Sequence, residues 1–134
     1  MNITNVPTPC YVVDEAALER NLQVLDSVQK RTGCKIIMAL KGFAMFSVFP
    51  RIRRYLKGVA ASSIDEARLG FEEFGGEVHT FAPAYRDFEL DELLHYSDHM
   101  VFNSFPQWER FKARALAANV SCGIRVNPEH SEVK

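Results

Sequence analysis

The sequence predicts an α/β fold made of repeated β/α units around a parallel sheet. Five short apolar segments recur about every twenty residues, and a stretch with helical periodicity follows each of the first four. The apolar segments are nearly continuous, as expected for strands that are buried on both faces of a parallel sheet. Few residues separate one element from the next, which is typical of β/α repeats.

The N-terminal part precedes the repeats. The segment "TPCYVVD", residues 8–14, predicts a short strand, and "DEAALERNLQVLDSVQKRTG" predicts a helix. Asp14 can cap this helix and Gly33 can end it. One face of the predicted helix is apolar, with Leu18, Leu22 and Leu25.

The β/α units then follow in order. The paired segments are "CKIIMAL" with "VFPRIRRYLKG", "GVAAS" with "SIDEARLGFEEFGG", "EVHTFAP" with "DFELDELLHYSD", and "HMVFNS" with "PQWERFKARALAANV"; the fifth strand is "SCGIRVNP". Gly33, Gly58 and Gly75–Gly76 are predicted to mark points where a helix stops before a strand.

Two architectures share this pattern, an open doubly wound sheet and a (β/α)₈ barrel. A barrel normally needs about 250 residues, and this chain has 134. Because the chain stops directly after the fifth strand, we expect residues 1–134 to be the N-terminal part of a barrel domain, truncated after the fifth barrel strand.

Composition excludes several classes of function. The net charge is −1 and no dense Lys/Arg block is present, which argues against binding to nucleic acid. There is no apolar run of spanning length and no secretory signal pattern, so we expect a cytoplasmic protein without a membrane partner. Cys10, Cys34 and Cys122 have no metal-ligand spacing, and we expect reduced thiols and no metal site.

Candidate functional residues lie at the predicted carboxyl ends of the strands, where parallel α/β proteins bind ligands. They are Lys41, Ser62, Ser63, Pro83, Tyr85, Asn103, Ser104, Arg125 and Asn127. This set contains neither a Ser–His–Asp order nor paired carboxylates. Lys41 has two interpretations: a solvated strand end, or an amine that forms a Schiff base with an aldehyde cofactor.

A family resemblance favours the second interpretation. The segment "TPCYVVD" followed by a helix and a strand ending in "MALKGF" resembles the fold-type III enzymes that use pyridoxal phosphate, the alanine racemase and basic amino-acid decarboxylase group. The segments "ALKGFAMFSVFP", "GGEVHTFAPAY", "SDHMVFNS" and "RVNPEHSEV" resemble the carboxynorspermidine/carboxyspermidine decarboxylases most closely. The resemblance covers nearly the whole chain, in order.

The resemblance implies a function and several site residues. It implies pyridoxal 5′-phosphate as cofactor and decarboxylation of carboxynorspermidine or carboxyspermidine to norspermidine or spermidine, in polyamine biosynthesis. Lys41 would carry the cofactor, Ala39 would pack near its ring, and Arg125 would lie near its phenolic oxygen. It also implies a homodimer in the full-length enzyme, and a C-terminal β-domain that these residues lack.

Three further residues have competing interpretations. Glu66 either contacts the cofactor or caps the helix that it begins. His79 either lines the substrate side or is a hydrogen-bonded structural residue. His130 is a further candidate for the substrate side. His95 and His99 are expected at the surface.

Other functions stay open at this point. One is a different decarboxylase of the same group, such as the diaminopimelate enzyme. Another is a barrel that binds pyridoxal phosphate without catalysis. A third, independent of the resemblance, is a small α/β module in which Lys41 contacts an anionic ligand.

Overall fold

Five parallel strands form one sheet in the order of the sequence. The structure, a computed structural model, describes residues 6–132. The strands are β1 (Ile37–Ala39), β2 (Gly58–Ala61), β3 (Glu77–Phe81), β4 (His99–Phe102) and β5 (Ser121–Ile124). Each strand pairs in parallel with the next along the chain. A doubly wound sheet would reverse its strand order, so the sequential order confirms the partial barrel that the sequence predicts.

One helix precedes β1, and four helical segments connect the strands. They are α1 (Glu15–Thr32), α2 (Phe49–Ile52), α3 (Ile64–Leu69), α4 (Asp87–Tyr96) and α5 (Phe105–Ala117). A 3₁₀ turn at Phe46–Val48 precedes α2, and α3 continues as a π-helical turn at Gly70–Phe74. No helix among residues 6–132 is long and apolar enough to cross a membrane.

Helix α1 begins and ends where the sequence predicts. The side chain of Asp14 accepts hydrogen bonds from the backbone N–H groups of Ala16 and Ala17, at 2.9 and 3.0 Å. Gly33 ends the helix in the left-handed region, with φ +73°. Leu22 is buried on the predicted apolar face. The local signals for this helix therefore agree with its tertiary packing.

The two faces of the sheet differ in burial. On β3, Val78 and Thr80 are buried, whereas Glu77, His79 and Phe81 are only half-buried. The buried face packs against the helices through the fully buried side chains of Phe49, Phe74, Leu90, Met100 and Phe102. The prediction that the strands are buried on both faces is therefore wrong for this part of the barrel. The inner face packs against the opposite strands only when a barrel is closed.

The predicted N-terminal strand at residues 8–14 does not form. The segment is irregular, and the side chain of Tyr11 is 99% exposed. An apolar segment forms a strand only when a neighbouring strand satisfies its backbone hydrogen bonds. Among residues 6–132, no strand pairs with this segment.

Gly58 has a different role from the predicted one. It is the first residue of β2 rather than the end of a helix, and a Cβ atom here would lie 2.1 Å from the carbonyl oxygen of Glu77. Close approach of β2 to β3 therefore requires glycine at this position. Gly75, with φ +69°, ends the π-helical turn as predicted.

Candidate functional site

Lys41 lies in a turn at the carboxyl end of β1. The backbone N–H of Leu40 donates to Ala60 at 3.0 Å, which extends the sheet by one residue, and the Leu40 side chain is buried. The chain then turns, with Gly42 donating to the carbonyl oxygen of Ala39 at 3.0 Å. Lys41 is exposed, and within residues 6–132 its amine has no hydrogen bond or ion pair. The structure thus presents an accessible amine at this edge of the sheet.

Arg125 lies at the same carboxyl end of the sheet as Lys41, directly after β5. Its backbone N–H donates to Phe102 at 2.9 Å and extends the pairing of β4 with β5. Its guanidinium lies 5.5 Å from the centroid of the Phe81 ring, and Nη1 is 3.4 Å from Oδ1 of Asn103. The side chain therefore leans across the ends of β4 and β3. This placement brings a cation to the edge that carries Lys41, and the role of Arg125 toward a cofactor stays a prediction.

Glu66 acts as a helix cap. Its Oε2 accepts a hydrogen bond from the backbone N–H of Ser62 at 2.7 Å, and Ser63 Oγ accepts one from the Glu66 N–H at 3.2 Å. Helix α5 begins in the same way, with Gln107 Oε1 accepting from the Asn103 N–H at 2.8 Å. The capping interpretation accounts for the position of the carboxylate, and contact between Glu66 and a cofactor stays a prediction.

Tyr85 is buried at this edge, although the sequence placed it among the residues open to a ligand. Its hydroxyl donates to the carbonyl oxygen of Val101 at 2.7 Å and accepts from the Ala82 N–H at 3.2 Å. Burial raises the pKa of the Tyr85 hydroxyl to about 12. Tyr85 therefore links the segment after β3 to β4 through hydrogen bonds at the carboxyl end of the sheet.

The predicted substrate-side histidines lie apart from each other. His79 lies in the middle of β3, where its backbone pairs with Ala60 and His99. Its ring stacks on the ring of His99 with 4.1 Å between centroids, and its Nε2 is 3.2 Å from Oε2 of Glu77. These contacts favour the structural interpretation of His79. His130 is exposed in the irregular segment after β5, and its role stays a prediction.

A potential ligand cluster on the inner face was missed by the sequence analysis. One ligand atom from each of Glu77, His79 and His99 lies within 4.8 Å of the other two. Hydrogen bonds lower the pKa of the Glu77 carboxyl, the one from Lys35 more than the one from His79. The prediction that His99 is a surface residue is wrong, because it is half-buried against His79. The spacing of Glu77 and His79 places both on one face of a strand, but the pairing with His99 depends on sheet register.

No protein-family model matches the chain. Among curated proteins, it is 42% identical over 132 residues to a carboxyaminopropylagmatine decarboxylase of Synechocystis sp.. It is 44% identical over 123 residues to a carboxynorspermidine/carboxyspermidine decarboxylase of Herminiimonas arsenicoxydans, and 36% identical to one of Campylobacter jejuni. These alignments cover 92–98% of the chain but only 32–34% of the relatives. The chain thus spans about a third of the length of the curated relatives it matches.

Solved structures agree with these relatives. Carboxynorspermidine decarboxylase of Campylobacter jejuni, in complex with norspermidine, superposes with a TM-score of 0.90 and 36% identity over 94% of this chain and 34% of that one. D-threonine aldolase of Filomicrobium marinum has a TM-score of 0.79 at 19% identity, covers 91% of this chain with 35% of its own, and shows a shared fold alone. The resemblance predicted from the sequence is therefore confirmed: the chain is homologous, over nearly its whole length, to about a third of the carboxynorspermidine/carboxyspermidine decarboxylases.

Proposed function

We propose that this chain is part of an enzyme that decarboxylates carboxynorspermidine or carboxyspermidine with pyridoxal 5′-phosphate, in polyamine biosynthesis. The observation that carries the proposal is the exposed Lys41 amine, which has no partner within residues 6–132 and lies at the carboxyl edge of the sheet. Homology to decarboxylases of this kind supports the substrate class. The full-length enzyme is proposed to be a cytoplasmic homodimer.

The residues at the edge fit such a cofactor. An accessible lysine amine can bond covalently to the aldehyde carbon of pyridoxal phosphate once it loses its proton. Arg125 offers a cation that suits an anionic oxygen, and the exposed Ala39 on the inner face leaves space beside Lys41. When bound, the cofactor supplies an electron sink for the loss of CO₂. The chain's own contribution is to hold the cofactor through Lys41 and to orient it through Arg125.

Carboxyaminopropylagmatine is a second candidate substrate. The Synechocystis relative, which is named for this activity, is 42% identical over 98% of the chain. This match is comparable to the one with the carboxynorspermidine/carboxyspermidine decarboxylase of Herminiimonas. Both candidates are carboxylated polyamines that lose CO₂, so the proposed chemistry is the same. Release of CO₂ from carboxyaminopropylagmatine, carboxynorspermidine and carboxyspermidine by the purified full-length protein would distinguish the substrates.

The assignment of Lys41 is tested by reduction and peptide mapping. Borohydride treatment of the full-length protein with pyridoxal phosphate should leave a stable pyridoxyl group on Lys41. Lys41→Ala and Lys41→Arg should both lose the label and decarboxylation, because a guanidinium keeps the charge but cannot bond to the aldehyde. Lys57→Ala, at an exposed position before β2, is the matched control and should behave as the wild type. A label found on Lys35 or Lys57, with Lys41 unmodified, would contradict the proposal.

A further inference from the structure

The inner face of the sheet carries a compact group of potential metal ligands. Glu77 is the first residue of β3, His79 lies two residues later on the same face, and His99 is the first residue of β4. Sheet register pairs His79 directly with His99. Their side chains are half-buried and come from two adjacent strands, so the backbone holds all three at short range.

The distances within this group suit a small divalent ion. Ligand atoms about 2.0–2.1 Å from a tetrahedral Zn²⁺ lie about 3.3 Å from one another. The separation between His79 Nε2 and Glu77 Oε2 is 3.2 Å. A ligand atom of His99 completes a group whose members all lie within 4.8 Å of one another. The His79 and His99 rings lie nearly parallel, with 15° between their planes, so the His99 ring has to turn for its nitrogen to point at the same ion as His79.

The surroundings also suit a metal-binding carboxylate. Lys35 Nζ contacts Oε1 of Glu77, whereas Oε2 faces His79. The carboxylate therefore has one oxygen held by a neighbouring group and the other directed at the cluster. A ligating carboxylate is usually oriented by hydrogen bonds from such outer groups, and their loss typically costs about 10–100-fold in affinity. Two imidazoles and one carboxylate are donors that Zn²⁺ prefers.

We propose that Glu77, His79 and His99 bind a divalent transition metal, Zn²⁺ by preference, with water in the fourth position. The metal would join β3 to β4. The cluster lies one to two layers of side chains below Lys41, because His79 is level with Ala60 and Ala39 in the sheet. We assign the metal a structural role, because it would hold side chains of two adjacent strands together.

Metal binding is tested on the full-length protein, first stripped of metal by a chelator and with exposed thiols such as Cys10 and Cys34 alkylated. Titration with Co²⁺ should give ligand-field absorption in the visible that saturates at one equivalent, and Zn²⁺ should abolish it. His79→Ala and His99→Ala should each weaken Co²⁺ binding at least ~10-fold. His95→Ala is the matched control, because His95 lies exposed on α4 beside Phe71 and should leave binding unchanged.

Further measurements keep the test decisive if a histidine variant fails to fold. X-ray absorption of the zinc-loaded wild type should show two imidazoles, one carboxylate and no sulfur. Glu77→Gln, which keeps the side-chain shape but removes the carboxylate charge, should weaken Co²⁺ binding at least ~10-fold while keeping both histidine ligands. The proposal is overturned if the folded wild type shows no saturable visible absorption from Co²⁺, or if that absorption persists when both histidines are replaced. It is also overturned if X-ray absorption of the zinc-loaded protein shows sulfur ligands.

Discussion

Replacement of Tyr85 by phenylalanine removes one hydroxyl that joins β3 to β4. That hydroxyl donates to the carbonyl oxygen of Val101 at 2.7 Å and accepts from the Ala82 N–H at 3.2 Å. Phenylalanine keeps the ring, which packs edge-on against Phe102 with 5.8 Å between centroids. The substitution therefore removes the hydroxyl's hydrogen bonds to these two backbone groups, and its 3.3 Å contact with the Thr80 carbonyl oxygen, while apolar packing is largely preserved.

The magnitude follows from burial and from the pKa. Buried polar groups that lose their partner cost about 1–3 kcal/mol, so Tyr85→Phe should lower the free energy of unfolding by that amount at neutral pH. Burial raises the pKa of Tyr85 from 10.0 to about 12. A raised pKa means that the neutral form is favoured by folding. This contribution is complete below the unfolded pKa and is lost as pH rises toward the folded pKa, by about 3 kcal/mol in total for the shift.

The assay compares urea unfolding of the wild type and Tyr85→Phe at neutral pH and at roughly pH 11, within the window set by the two pKa values. At neutral pH the wild type should have a higher free energy of unfolding than Tyr85→Phe. This difference should shrink at alkaline pH, because the wild type loses stability as Tyr85 titrates whereas phenylalanine does not titrate. Tyr11→Phe is the control, since the Tyr11 side chain is 99% exposed and should show neither effect. A difference between wild type and Tyr85→Phe that stays constant with pH would refute the argument.

Two further substitutions test how the site edge and the sheet are built. Gly58→Ala should destabilise the protein by at least about 1–3 kcal/mol, because its Cβ would lie 2.1 Å from the Glu77 carbonyl oxygen. Gly42→Ala, where the nearest atom is an ordinary 3.5 Å away, is the matched control, and an equal loss in both variants would contradict this reasoning. Ser63→Ala should cost about 1 kcal/mol through loss of the α3 cap, measured by urea unfolding; an unchanged midpoint would mean that water replaces the cap without cost.

Local signals in the sequence determined most of the fold. The alternation of apolar strands with helical periodicity predicted the order and direction of all five strands, since short connections between such elements favour right-handed β/α crossovers. Asp14 and Gly33 predicted both ends of α1 because caps act within a few residues. The position of Lys41 at a strand end also followed from local pattern, and the family resemblance of nearby segments was confirmed by the relatives.

Only the tertiary structure decided which side chains meet. His79 and His99 are twenty residues apart, and their stacking depends on the register of β3 against β4. Tyr85 lies in a loop with no periodicity, so its burial beneath the site edge had no local signal. The predicted strand at residues 8–14 lacks a paired strand in the part of the chain that the structure describes. Periodicity reports which face of an element is apolar, whereas register and pairing depend on contacts between distant segments, and these contacts form only when the whole sheet packs.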